Sequence, residues 1–391
     1  MTALRQSLRK FPSALGYRMP AEWEPHASTW LAWPHYKGDW PGKFEPIPWV
    51  YAEIIRNLAR HERVDLIVKS EREEKRAREV LERADALSEN VVFHCWPTDR
   101  VWIRDSGCIF LTRGEGIPVH ENPENREGHE FTRADRTTKR EAASAAEVCA
   151  LHFRFNAWAK YDNYKFDAKV GARMARVAGA RVVHPMYGDE RVVLEGGSID
   201  VNGCGTLLTT EECLLSTTQQ RNPAVDRAAY EQMFADYFGV SNVIWLGEGI
   251  EGDDTHGHVD DITRFVAPDT VVTMVEHSPK SDNYSALHHN LGRLKAARDQ
   301  NGKRLNVVGI PMPRPVVFEG RQLPASYANF YIANGIVLVP VFNDPNDRIA
   351  LNTLAELLPD REIVPIYSGD LIWGFGAMHC MTQQESVVGS Q

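Results

Sequence analysis

Residues 50–68 read Val50-Tyr-Ala-Glu-Ile-Ile-Arg-Asn-Leu58-Ala-Arg-His-Glu-Arg-Val64-Asp-Leu-Ile-Val68, and this stretch decides the fold class. Val50, Ile54, Ile55 and Leu58 share one face of a helix, and Val64 to Val68 follow as a short apolar strand. A charge-rich run free of Gly and Pro over 71–86 predicts a solvated helix, followed by a strand over 90–94. The cycle then recurs. Helices are expected near 166–177, 224–238, 284–298 and 348–358, leading into strands at 181–184, 242–246, 305–310 and 362–366. Further strands are expected at 191–194, 198–201, 206–209, 270–275 and 335–341. The spacing, roughly 50 to 60 residues, is in the range of modular repeats, although the units repeat in pattern and not in identity. No Pro- or Ser-rich linker interrupts them, so residues 1–391 are expected to form one α/β domain. Residues 114–140, polar and rich in Arg, Glu and Gly, are expected to be a surface excursion.

Composition narrows the function classes. Apolar residues are 43% and charged residues 25% of the 391, which is ordinary for a globular chain that buries its own core. Forty-four basic against 53 acidic residues give a net charge of −9. That balance disfavours nucleic acid and anionic membrane as partners, and mildly favours a cationic small molecule. The cysteines (Cys95, Cys108, Cys149, Cys204, Cys213 and Cys380) form no C-x-x-C pair, so neither a zinc knuckle nor a disulfide framework is expected. Met1 to Leu15 is polar and basic, without the apolar stretch of a signal peptide. Residues 330–342, interrupted by Asn334, Gly335 and Pro340, are too few to span a bilayer. A cytoplasmic protein with free thiols is the expectation.

Four clusters carry chemistry-bearing side chains at strand ends or Gly-rich turns. Val101-Trp102-Ile-Arg-Asp105-Ser-Gly sets an acid before a turn, a pattern that serves capping as readily as catalysis. Val193-Leu-Glu195-Gly-Gly-Ser-Ile ends a strand in Glu, with two glycines that allow a sharp turn or close backbone approach. Gly252-Asp-Asp254-Thr-His256-Gly-His258-Val-Asp260-Asp261 crowds two His and four Asp into a short run. In an extended chain His258 and Asp260 face the same way, which suits a general acid/base beside a cation-binding carboxylate. With His256 the same run also suits a metal. Gly374-Phe-Gly376-Ala-Met-His379-Cys380 places a thiol after a Gly-rich turn, where it is either a small buried apolar group or a reactive one.

In chain order these pieces resemble the guanidine-modifying enzymes, within them the agmatine deiminase and bacterial peptidylarginine deiminase branch. The resemblance runs through Met19-Pro-Ala-Glu-Trp-Glu-Pro-His26, Trp30-Leu-Ala-Trp33-Pro34, Trp102-Ile-Arg-Asp105, Phe155-Asn-Ala-Trp158, Leu194-Glu-Gly-Gly-Ser-Ile199, Gly257-His-Val-Asp260 and His379-Cys-Met-Thr-Gln-Gln384, which is nearly the whole chain. It implies the pentein fold, a five-module α/β propeller of pseudo-fivefold ββαβ units around a central cleft. It also implies roles. Cys380 is the nucleophile and His258 the general acid and base. Asp105 and Asp260 grip the guanidinium, and Glu195 completes the acidic surround. Trp102, Asp254, Trp33 and Gly376 are expected to touch substrate. The implied reaction is hydrolytic deimination, with agmatine giving N-carbamoylputrescine and ammonia through an S-alkylthiouronium on Cys380.

The chemistry is coherent by itself. A guanidinium is planar, cationic and rich in donors, so carboxylates hold it bidentately and fix its carbon for attack. That carbon is a poor electrophile, and a thiolate is the strongest side-chain nucleophile available. The substrate supplies its own positive charge, so no metal or other cofactor is expected. The sequence departs from agmatine deiminases at Ala159-Lys160-Tyr161-Asp162 after Trp158, at Gly374 to Met378, at His256, and at Asp200 and Cys204. These changes leave the far end of the substrate open among agmatine, free arginine and peptidyl-arginine. The competing readings are a metal-dependent amidohydrolase built on His256, His258 and Asp260, a Trp-lined binding module, and amidino transfer through the same intermediate. A homodimer is a weak expectation.

Overall fold

The computed structural model describes residues 11–113 and 148–387; the expected 114–140 excursion lies outside them. Five small sheets share one plan. In each, two antiparallel strands are followed by a helix that crosses to a third strand, parallel to the second. Four are continuous in sequence: Ile109–Thr112, Val148–Leu151 and Arg181–Val183; Asp200–Val201, Thr206–Thr210 and Asn242–Leu246; Thr263–Ala267, Thr270–Val275 and Asn306–Pro311; Tyr331–Ala333, Ile336–Val341 and Glu362–Tyr367. The remaining sheet takes its first strand from the far end of the chain. Gln383–Ser386 pairs antiparallel with His26–Ala32, Thr29 facing Gln384, and Arg63–Val68 and Val91–Cys95 follow in parallel. The C-terminus thus completes the N-terminal module. No helix among the described residues is long and apolar enough to cross a membrane.

The crossover helices are those the periodicity predicts. Ile47–Leu58 begins after Pro46, with Pro48 in its first turn, where proline's missing N–H costs nothing. It buries Ile47, Tyr51, Ile54, Ile55 and Leu58 along one stripe. Burying each large apolar side chain is worth about 1.5–3 kcal/mol, so the stripe fixes which face meets the sheet. Arg227–Phe238 starts at Asp226, whose carboxylate accepts the Ala229 N–H, and stops at Gly239 with φ +72°. The second strand of each continuous module is buried almost throughout, as in Ile336–Val341, whereas third strands such as Glu362–Tyr367 are partly exposed. Arg191–Leu194 is shorter than expected: only Glu190–Arg191 is a strand there, and Val193 makes an isolated bridge to Arg154.

Each first strand is preceded by a single helical turn. These turns are Ile103–Ser106, Gly196–Ser198, Val259–Asp261, Tyr327–Asn329 and Met378–Met381. They touch one another in cyclic order, the last meeting the first. The backbone therefore brings five distant segments into one ring, and four of the five are the clusters that stand out in the sequence.

Candidate active site

The ring of turns surrounds a cleft of about 340 Å³ whose lining includes Trp102, Asp105, Trp158, Asp254 and Cys380. Asp105 sits in the first turn, Glu195 caps the second, Asp260 is in the third with His258 just ahead of it, and Cys380 is in the last. All five side chains are buried, His258, Glu195 and Asp260 completely. The Cys380 thiol lies 3.6 Å from Asp260 Oδ2. His258 Nδ1 is 3.9 Å from Asp105 Oδ1 and 4.0 Å from Asp260 Oδ1, and its Nε2 is 3.7 Å from Glu195 Oε2. These separations exceed a hydrogen bond. Both imidazole nitrogens, Glu195 Oε2 and Asp260 Oδ1 are buried polar atoms without a hydrogen-bond partner among the described residues. Such atoms are costly unless a ligand supplies the missing contacts.

The floor is an excess of negative charge in a low-dielectric setting. Burial pushes the Asp105 carboxyl up to about 6; His258 opposes the rise, while Asp260 and Glu195 add to it. Burial acts to raise Glu195 as well, but the guanidinium of Arg221, at 3.1 Å, and His258 hold it down at about 2. Asp260 is lowered despite burial, through its contact with His379 and the charges of His258 and Arg264, whereas the adjacent Asp261 is pushed well up by burial and by Asp260. So of the adjacent pair Asp260 carries the charge. Burial works against the imidazolium of His258, but Asp105, Cys213 and Glu195 outweigh it and raise its pKa well above the usual value. Burial and the charges of Asp260, Asp261 and Asp105 raise the Cys380 thiol well above its usual range. Without a bound cation the site holds a thiol and an imidazolium.

Two features place these groups. Gly197 packs into the middle of the cluster: a Cβ there would sit 2.6 Å from His258 Nδ1, 2.9 Å from Asp260 Oδ2 and 3.1 Å from Asp105 Oδ1. Its N–H donates to Asp105 Oδ1 at 3.1 Å, while Trp158 Nε1 donates to Oδ2 at 2.8 Å. Asn329, from the fourth turn, clamps the nucleophile segment. Its Oδ1 accepts the N–H groups of Ala377, His379 and Cys380 at 3.1–3.3 Å, and its Nδ2 donates to Cys380 Sγ and to Asp261 Oδ1, both at 3.0 Å.

The family follows from comparison with known proteins. Residues 18–385 match the model of the Porphyromonas-type peptidyl-arginine deiminases. The chain belongs to this family. An agmatine deiminase of Pseudomonas fluorescens is 32% identical over 97% of this chain and 98% of its own. A solved agmatine deiminase of Enterococcus faecalis superposes with a TM-score of 0.81 at 28% identity, covering 97% of this chain and 98% of that one. A substrate-bound agmatine deiminase of C. jejuni gives 0.77 at 26% identity, with 96% and 97% covered. The five ββαβ units are the pentein fold of this deiminase family.

Of the expected substrate contacts, Trp102 and Asp254 line the cleft. Gly376 stands directly behind it, where a Cβ would lie 2.6 Å from the Trp102 ring and 3.0 Å from Cys380 Cβ. Trp33 is elsewhere: it is buried in the apolar core, edge-on to Tyr51 at 6.3 Å, and does not line the cleft. The metal trio of the amidohydrolase reading does not converge. His256 has φ +65° and Gly257 φ +90°, so the run is a turn and not a strand. His256 points to Ser216 Oγ (3.1 Å) and Glu212 (3.5 Å), away from Asp260.

Asn329, Arg221 and a buried layer under Asp260 escape sequence reading. In that layer His379 Nδ1 lies 2.6 Å from Asp260 Oδ2 and its Nε2 2.8 Å from Glu22 Oε2. Arg264 and Arg104 hold Glu22 at 2.9 and 3.3 Å. Glu22 belongs to the Met19 to His26 stretch of the resemblance, and its four-residue spacing from that histidine gives no hint of a partner more than 350 residues away. The signal that could find Asn329 is positional, since it occupies in its module the place that Asp105, Glu195, Asp260 and Cys380 hold in theirs.

Proposed function

We propose that the protein deiminates a small alkylguanidine by hydrolysis, with agmatine as substrate and N-carbamoylputrescine and ammonia as products. The observation that carries the reading is the convergence of one thiol, one imidazole and three carboxylates from four separate turns, with Asp105 and Cys380 in the lining of the cleft and His258, Glu195 and Asp260 buried beside them. A planar cation with donors on three nitrogens matches the unpartnered oxygens there. Near-full-length likeness to agmatine deiminases supports the choice of agmatine.

Asp105 and Asp260 hold the guanidinium so that its carbon faces Cys380. As the cation enters, it takes over the electrostatic role of the thiol proton, which leaves to solvent. The thiolate attacks the carbon, forming the C–S bond. His258 delivers its proton to the departing nitrogen, the C–N bond breaks, and ammonia leaves an S-alkylthiouronium beside a neutral imidazole. His258 then removes a proton from water as the oxygen adds to the same carbon. The C–S bond breaks, the ureido product forms, and the remaining hydroxyl proton returns to sulfur. Glu195, fixed by Arg221, holds the imidazole in place throughout. Cys95, Cys108, Cys204, Cys213 and Cys380 form no disulfide, which supports a cytoplasmic setting.

The test is purified protein with agmatine, following ammonia and ureido product together. Equal yields support hydrolysis; ammonia-free transfer of the amidino group to an added amine would replace it. The pH profile follows from the charges. Asp105 must be ionised to grip the cation, and its raised pKa of about 6 places the acid limb of kcat/KM there, activity falling as pH drops below it. His258 must keep its proton, and its raised pKa keeps activity through neutral pH, with the fall at alkaline pH. A profile flat from pH 5 to pH 7 would contradict the role given to Asp105.

A further inference from the structure

The outer end of the cleft is built unlike its floor. Asp254 lines it, yet its carboxylate is already engaged: Oδ1 accepts from Lys160 Nζ at 2.6 Å and from Arg321 Nη2 at 3.3 Å, and Oδ2 accepts from the Tyr161 hydroxyl at 2.6 Å. Arg100, also in the lining, places its guanidinium 4.0 Å from the centre of the Tyr161 ring and pairs with Asp39. Three cations thus face two carboxylates. Burial raises Asp39 to about 7 in spite of Arg100, so it carries only part of its charge near neutrality. The local balance is positive.

Lys160 and Arg321 can turn toward a ligand. Their side chains are 36% and 48% exposed, while that of Asp254 is 9% exposed. Arg321 stacks 4.0 Å over Phe375, itself in the cleft lining. A substrate with its guanidinium on the floor presents its other end here. An ammonium at that end must displace Lys160 from Asp254 and then lie beside two guanidinium groups. A carboxylate meets two partly exposed cations, Lys160 and Arg321, which can turn to it without displacing a buried group.

We infer that the cleft also takes alkylguanidines whose far end is a carboxylate, with Lys160 and Arg321 as the residues that select them. This rests on the deimination proposed above and adds a second class of substrate to it. Lys160 and Tyr161 lie in the Ala159 to Asp162 stretch at which the sequence departs from agmatine deiminases.

The experiment compares kcat/KM for agmatine and for 5-guanidinopentanoate, which share a four-methylene spacer and differ in the charge of the far end. The protein is expected to deiminate both. Lys160→Met and Arg321→Met are each expected to lower kcat/KM for the guanidino acid about 10- to 100-fold, mainly through KM, the range expected for a lost charge-assisted contact. For agmatine the Lys160→Met change is expected to raise kcat/KM, because Asp254 is released. Thermal melts of both variants check that the fold is intact. Turnover of agmatine without turnover of the guanidino acid overturns the inference and leaves the deimination reading in place. So does an equal change for both substrates in both variants. Turnover of neither compound counts against deimination itself.

Discussion

Cys380→Ala is expected to abolish agmatine turnover while the protein stays folded and still binds agmatine. The side chain is small and buried, so alanine removes one sulfur from a site whose packing is otherwise kept. The binding groups, Asp105 and Asp260, belong to other turns and remain in place. What disappears is the atom placed to form a covalent bond with the guanidinium carbon, and general acid–base help from His258, typically worth about 10²–10⁴-fold, cannot replace it. Because a raised thiol pKa makes the proton compete with the bound cation, binding in Cys380→Ala should be as tight as in the parent or tighter. Calorimetry and an ammonia assay measure the two properties separately. Residual turnover within tenfold of the parent would remove sulfur from the mechanism, and a metal-activated water would then need to be sought.

Gly197→Ala is the second large effect, expected to lower kcat/KM for agmatine about 10³-fold with little change in melting temperature. A methyl group there would lie within 3.1 Å of His258, Asp260 and Asp105 at once, so at least one must move. Asp105 lies on one turn, His258 and Asp260 on another, and a displacement near 1 Å can cost about 10²-fold through misalignment alone. Displacing the imidazole adds to this a share of the acid–base contribution. Steady-state kinetics with circular dichroism separates lost alignment from lost folding. Normal activity in this variant would mean that the cluster is looser than its distances indicate.

The parts of this architecture visible in the sequence are those with long, periodic signals. The helix Ile47–Leu58 and the strand Arg63–Val68 lie almost where the apolar spacing puts them, as do Arg227–Phe238 and Asn242–Leu246. The short antiparallel first strands are less legible: Tyr331–Ala333 has too few residues to show alternation, whereas Asp200–Val201 falls within the strand expected at 198–201. Asp105, Glu195, His258, Asp260 and Cys380 stand out because polar groups beside glycines at strand ends are conspicuous, and the ring of turns is what brings them together. Asn329 is a lone amide between buried Ala328 and Phe330, and nothing in its local sequence distinguishes it from a capping residue. Arg264 and Glu22 share that silence, since each looks like a solvated charge until the tertiary fold buries it against its partner. Trp33 misleads in the opposite direction: it lies in a Trp-rich segment of the resemblance, yet that segment is the central apolar strand of its sheet and its continuation. The alternation argument for His256 fails for a backbone reason, because two successive residues with positive φ turn the chain before His258.

The nucleophile and the substrate class meet in a single species, and rapid acid quenching of the protein during agmatine turnover, followed by peptide mass spectrometry, observes it. The predicted result is a peptide carrying Cys380 heavier by the mass of agmatine less ammonia, absent from Cys380→Ala and from protein quenched before mixing. A quenched sample that turns agmatine over at full rate yet shows no such adduct, or shows it on another residue, would contradict covalent attack by this thiol.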